Sequence, residues 1–273
     1  MKVLISTDIE GVAGVYHHEQ ARAGNPEYER ARLLMAHEAS AAIAGAFDAG
    51  ATEVLVNDSH GGFRNMPPDV LDPRARVVQG KPRYLSMVAG VEEEGVEAVC
   101  MVGYHSRAQG RGILAHTINS FAFAGIRLGD QELGEAGLYG ALAGEYGVPV
   151  VMASGDDVFI AENRALFPHA TFVETKKATG FNSGVSLSPE RSRSAIRAGV
   201  TEALAARGHA SPLVFKGPQA VTLRTQSPMM ADLFCQWPAF ERLDGVTLCF
   251  TTDTVEAAVR MLNCCSAMSS MLR

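Results

Sequence analysis

Short apolar runs, each followed by a polar cluster, recur along the first 160 residues. Val3-Leu4-Ile5 leads into Ser6-Thr7-Asp8-Ile9-Glu10-Gly11, and Val54-Leu55-Val56 into Asn57-Asp58-Ser59-His60. Val99-Cys100-Met101-Val102 leads into Gly103-Tyr104-His105, and Val150-Val151-Met152 into Ser154-Gly155-Asp156-Asp157. Runs this short are not helices; they read as buried strands. After an aperiodic loop over 11–25, Ala31, Met35, Ala39, Ala42 and Ala46 recur three or four apart, behind Pro26 and ahead of Gly50. That pattern predicts a long helix over 26–49. Strand, helix, strand with short links is the βαβ unit that builds parallel sheets. Val77-Val78 reads as a weak further strand, and helices are predicted over 83–94, 132–146, 157–166 and 189–207. Beyond residue 210, four prolines punctuate predicted strands at 219–225 and 246–251 and a helix at 253–263. The predicted fold class is α/β: a mostly parallel open sheet flanked by helices, with a smaller C-terminal α+β lobe. Residues 1–210 form the main α/β domain and 211–273 the lobe, either separate or part of the same domain.

In open parallel sheets, ligands collect beyond the carboxyl ends of the strands. Asp8 and Glu10 stand two apart at such an end, so their side chains point to one side. Two close carboxylates repel, and a divalent cation removes the conflict. Gly11 then permits a sharp turn. His60 and His105 close two further strands, so three strand ends offer two carboxylates and two imidazoles. That donor set suits zinc and other first-row metals better than calcium or magnesium. A further acid is available in Gly129-Asp130-Gln131-Glu132-Leu133-Gly134-Glu135, where position does not choose between Glu132 and Glu135; either also suits the start of a helix. His116, in a small apolar stretch, reads on its own as a core histidine, with a general acid/base or an electrophile beside a metal as the functional alternatives. Asp156 and Asp157 suit a helix cap, or an anchor for a substrate amine.

Composition narrows the classes. The 273 residues are 47% hydrophobic and 20% charged with a formal net charge of −6, which argues against a nucleic-acid protein with its usual basic surface. No leader-like segment precedes the first strand and no run reaches transmembrane length, so a cytoplasmic protein without membrane partners is expected. The five cysteines form no C-x-x-C pair, which argues against a disulfide framework or a thiolate zinc site. Phosphate-loop, G-x-S-x-G and H-E-x-x-H motifs are absent from the sequence.

Taken together, the motifs S-x-D-x-E-G at Ser6–Gly11, V-N-D-S-H at Val56–His60, G-Y-H at Gly103–His105, His116-Thr117, G-E-x-G-L at Gly134–Leu138 and G-D-D at Gly155–Asp157 resemble one family. It is the D-aminopeptidases of the dipeptide-utilisation type, the M55 metallopeptidases. The resemblance runs from Met1 to about Asp157 and more loosely to the end; 180–245 offers no firm match. It implies two zinc ions per subunit, held by Asp8, Glu10, His60, His105 and Glu135, with Asp8 touching both. It thereby selects Glu135 over Glu132. It implies His116 as the catalytic histidine, short peptides or amino-acid amides as substrate, release of an N-terminal D-amino acid through a metal-activated water, and a homodecameric ring. Other first-row divalent metals fit the same donors. The competing readings are another dinuclear metallohydrolase, acting on non-peptide amides or phosphate esters, and a metal-dependent small-ligand binding protein.

Overall fold

Val3 and Ile5 face one side of the strand Lys2–Thr7 (β1) and Leu4 faces the other, and all three are fully buried. A strand with apolar residues on both faces belongs in the middle of a covered sheet. The computed structural model, which describes residues 1–273, places it there. The remaining strands are Glu53–Asp58 (β2), Arg76–Val78 (β3), Val96–Val102 (β4), Phe123–Leu128 (β5), Gln131–Leu133 (β6), Val150–Asp156 (β7), Thr171–Gly180 (β8), Ser183–Ser186 (β9), Gln219–Thr225 (β10), Glu241–Arg242 (β11) and Thr247–Thr252 (β12). The first sheet has the order β3-β2-β1-β4-β7-β8-β9 and is parallel except for the β8–β9 hairpin. A second, antiparallel sheet has the order β11-β12-β10-β5-β6.

The helices are His18–Ala21 (α1), Pro26–Asp48 (α2), Glu135–Glu145 (α3), Asp157–Asn163 (α4), Pro189–Ala205 (α5), Pro228–Phe234 (α6) and Val255–Met268 (α7). One core lies between the first sheet and the pair α2 and α5; it takes Val3, Ile5, Val54, Val56 and the whole alanine stripe of α2. The stripe is small because the helices approach closely: a Cβ on Gly45 would stand 2.4 Å from the Arg197 carbonyl oxygen. The other core takes Leu4, Leu55, Val99 and Met101 against α3, α7 and the second sheet.

The mostly parallel sheet flanked by helices is as predicted. Two of the expected helices differ. Residues 83–94 hold only a short 3-10 turn at Ser86–Val88, because Ser86 and Gly90 take positive φ angles of 47° and 107° that a helix excludes. The helix expected from 132 starts at Glu135, since Gln131–Leu133 pairs with β5 instead. The segment after 211 supplies β10–β12, α6 and α7, and its β10 pairs with β5.

Glu38 is an acid on the buried face of α2, accepting from the Ala13 N–H at 3.0 Å and the Ser192 hydroxyl at 2.7 Å. Burial pushes its carboxyl from 4.5 up to about 7 against the pull of these two donors. The folded protein therefore holds this proton more tightly than the unfolded chain. Its cost is absent below pH 4.5, grows as the pH rises, and is complete above 7, at about 3 kcal/mol. Glu38→Gln is expected to flatten the decline of Tm between pH 5 and pH 8 in thermal melts; an unchanged slope would contradict this.

Candidate metal centre

β1 lies between β2 and β4, with Thr7 paired to Asp58 on one side and Val102 on the other. The ladder continues one step beyond the strand: the Asp8 N–H donates to the Val102 carbonyl at 2.8 Å and the Ser59 N–H to the Thr7 carbonyl at 2.8 Å. Asp8, His60 and His105 are thus brought together because their three strands are neighbours. Glu10 returns over the strand end because Gly11 donates its N–H to the Gly103 carbonyl at 2.7 Å. Gly11 is required by this close approach, a Cβ there falling 2.0 Å from the Tyr104 carbonyl oxygen. Gly103 has φ +72° and would clash with the Asp8 backbone at 2.3 Å. Glu135 enters from the first turn of α3 and His116 from the loop between β4 and β5.

The side chains fall into two half-sites that share Asp8. Its Oδ1 lies 3.2 Å from His60 Nδ1, which is 3.1 Å from Glu10 Oε2. Its Oδ2 lies 3.3 Å from His105 Nε2, which is 3.3 Å from Glu135 Oε2. Asp8, Glu10, His105 and Glu135 are buried. His116 stacks on His105 with ring centroids 4.2 Å apart, and its Nε2 is 3.7 Å from Glu135 Oε1.

Each imidazole uses its other nitrogen on a backbone carbonyl. His60 Nε2–H donates to Ala21 at 2.7 Å, His105 Nδ1–H to Ser106 at 3.0 Å, and His116 Nδ1–H to Leu114 at 2.9 Å. The carbonyls, which only accept, assign the tautomers. In the neutral rings, unprotonated nitrogens therefore face carboxylate oxygens, lone pair against lone pair. Glu10 Oε2 and His105 Nε2 are buried without a hydrogen-bond partner. Such an array is stable only with positive charge inside it, as protons or as a metal. With protons as the only positive charge, burial pushes the Asp8 carboxyl up and Glu10 adds to it, while His60 and His105 are raised well above ordinary histidines against their own burial by Glu10 and Glu135 respectively. Ligands about 2.0–2.1 Å from a tetrahedral centre stand roughly 3.3 Å from one another, the spacing of these donors. Nitrogen and carboxylate donors, carbonyl-fixed rings and orphaned buried atoms together fit a zinc-type centre.

The remaining polar residues of these motifs brace the site. Ser6 Oγ meets Tyr104 Oη at 2.6 Å and Ser59 Oγ at 2.8 Å, and Asn57 Nδ2 donates to the Ala89 carbonyl at 2.7 Å. Glu132 stands apart, 3.7 Å from Arg107 Nε. Asp156 is not available to a substrate amine. It is buried, caps α4 by accepting from the Phe159 N–H at 2.8 Å, and accepts from the Ile113 N–H at 2.7 Å. Asp157 accepts from the Ala178 N–H at 2.7 Å. The orienting carbonyls of Ala21, Ser106 and Leu114, and the Ile118 N–H that donates to Glu135 Oε1 at 2.6 Å, carry no signal in the sequence, because every residue has these groups.

The D-aminopeptidase family model, Peptidase_M55, matches residues 1–264. The chain belongs to the M55 D-aminopeptidase family. A D-aminopeptidase of Bacillus subtilis (strain 168) is 37% identical over 191 residues, 70% of this chain and 69% of that protein. Among solved structures, the Zn-dependent D-aminopeptidase DppA from Bacillus subtilis, described as a self-compartmentalizing protease, matches with a TM-score of 0.95 at 30% identity. The match covers 99% of this chain and 98% of that one. As an M55 chain its fold is thus matched almost from end to end, including the C-terminal segment where the motifs thin out. No helix is long and apolar enough to cross a membrane.

Proposed function

We propose that this M55 protein is a zinc-dependent aminopeptidase that releases the N-terminal residue, a D-amino acid, from short peptides or amino-acid amides. The observation that carries the reading is the placement of Asp8, whose two oxygens face two separate pairs of donors. Glu10 and His60 with Asp8 Oδ1 would hold one ion, and His105 and Glu135 with Asp8 Oδ2 the other. When bound, the ions supply Lewis-acid charge that polarises the scissile carbonyl and lowers the pKa of a water.

The chain's own groups do the rest. The carbonyls of Ala21 and Ser106 hold His60 and His105 in the tautomers that present a lone pair inward. His116 has 20% of its side chain exposed, and Leu114 fixes its Nδ1 as the protonated nitrogen. Nε2 is then the atom that takes up a proton and returns it to the leaving amine.

The Zn-dependent, self-compartmentalizing relative supports zinc as the metal and a homo-oligomer as the working form, and the decameric ring is proposed with it. A cytoplasmic location, and a division into a metal-binding unit over 1–210 and a C-terminal lobe over 211–273, are proposed on the sequence reading, with the second sheet shared between the two units.

The test is metal analysis paired with a substrate screen. About two equivalents of zinc, hydrolysis of D-alanyl peptides in preference to their L-counterparts, and loss of turnover on chelation with recovery on adding zinc are expected. Chelator-insensitive turnover, or activity confined to phosphate esters, would overturn the reading.

A further inference from the structure

Lys176 on β8 is buried, 2% exposed, with no carboxylate within ion-pair distance. Its ammonium donates instead to two backbone carbonyls, those of Glu10 and Val15, the latter at 2.5 Å. Taking a lysine cation out of water without a counter-ion is expensive. A methionine of similar length would fill the space without that cost.

What the cation grips explains its presence. The segment 10–15 is neither helix nor strand, and distant side chains anchor it. Thr175 Oγ1 donates to the Gly11 carbonyl at 2.6 Å, the Gly14 N–H donates to Ser186 Oγ at 2.8 Å, and Glu38 accepts from Ala13. Thr175, Lys176 and Ser186 all come from the β8–β9 hairpin. Of these contacts, only that of Lys176 reaches the residue that carries a candidate ligand.

We propose that Lys176 is a positioning residue for Glu10: its ammonium fixes the Glu10 backbone, and so sets how tightly the Glu10–His60 half-site holds its metal. The inference rests on the dinuclear reading above. A charge-assisted hydrogen bond to each carbonyl locks the peptide on either side of the turn. Without it the Glu10 carboxylate samples positions away from His60, while Asp8, His105 and Glu135 keep their own supports. The two half-sites therefore respond differently.

The experiment is zinc titration of apo-protein against a competing chelator, with the stoichiometry retained after gel filtration, on the full chain and on Lys176→Met. The parent is expected to retain two zinc ions. Lys176→Met is expected to retain one tightly and to bind the second about 10- to 100-fold more weakly, the usual range for losing a group that orients a ligand. Lys176→Gln, which can still donate to a carbonyl, should fall in between, and it serves as the test variant if Lys176→Met does not fold. Val200→Ala, at a fully buried core position on α5, provides a destabilised control that should keep both ions. The proposal is overturned if the Lys176 variant binds two ions with the parent's affinities, or if the control loses the second ion to the same extent. A parent that binds no zinc would overturn the dinuclear reading itself, a result distinct from either.

Discussion

Asp8→Ala protein is expected to lose both metal ions and its peptidase activity together. Asp8 is the one residue with an oxygen in each half-site, at 3.2 Å from His60 and 3.3 Å from His105. Removing it leaves two donors on each side, fewer than a zinc site needs. It also leaves two buried glutamates facing histidines across a gap. Turnover should fall by at least about 10²- to 10³-fold, the scale of losing a preorganised electrostatic element from an active site. Metal analysis and a D-alanyl dipeptide assay on the same preparation check both halves of the statement. Substantial turnover in metal-free Asp8→Ala protein would remove the basis for the mechanism. The strand end should survive, because the Asp8 N–H and the neighbouring ladder bonds do not depend on the side chain; only the Ile9 N–H loses its acceptor, Asp8 Oδ1 at 2.8 Å.

His116→Ala should behave in the opposite way: metal content stays near that of the parent while kcat falls by about 10²- to 10⁴-fold, the range for losing a general acid or base. His116 Nε2 is 3.7 Å from Glu135 Oε1, beyond the 3.1–3.3 Å spacing within the two half-sites. The ring is nevertheless stacked on His105, and donor atoms of His105, His116 and Glu135 lie within 4.8 Å of one another, close enough to share an ion. The measurement therefore decides between two roles. If His116→Ala strips one ion, His116 is a ligand and the proton-transfer assignment fails. If KM rises with kcat unchanged, the residue binds substrate rather than moving a proton.

The parallel sheet and its helices were readable because their signals are local and periodic. The alanine stripe of α2 and the apolar runs of β1, β2, β4 and β7 each state which face is buried. The motif glycines were readable, but only part of the reason was: Gly11 does lie in a turn, closed by the Val12 N–H donating to the Ile9 carbonyl at 3.1 Å, and what excludes a side chain there is the close approach of two backbones. The hairpin β8–β9 was missed altogether. It lies at the sheet edge, where β9 is exposed along its whole length and carries no burial pattern to read. The false helix at 83–94 came from the same kind of limit, since propensity does not report that Gly90 must turn left-handed beside Leu4 and Leu55.

Residue type and order along the chain determined the donor chemistry, two imidazoles and two carboxylates at strand ends, and through the motifs a family. They did so because strand ends of a parallel sheet meet at one edge whatever lies between them. Only the tertiary structure decided that Asp8 stands between two half-sites, that Glu132 turns away to Arg107, and that Asp156, besides capping α4, is occupied by the Ile113 N–H 43 positions away. It alone revealed the buried Lys176 against the Glu10 carbonyl, 166 positions away in the chain. Those facts are distances between backbone and side-chain atoms brought together by packing, and no single stretch of sequence contains both partners.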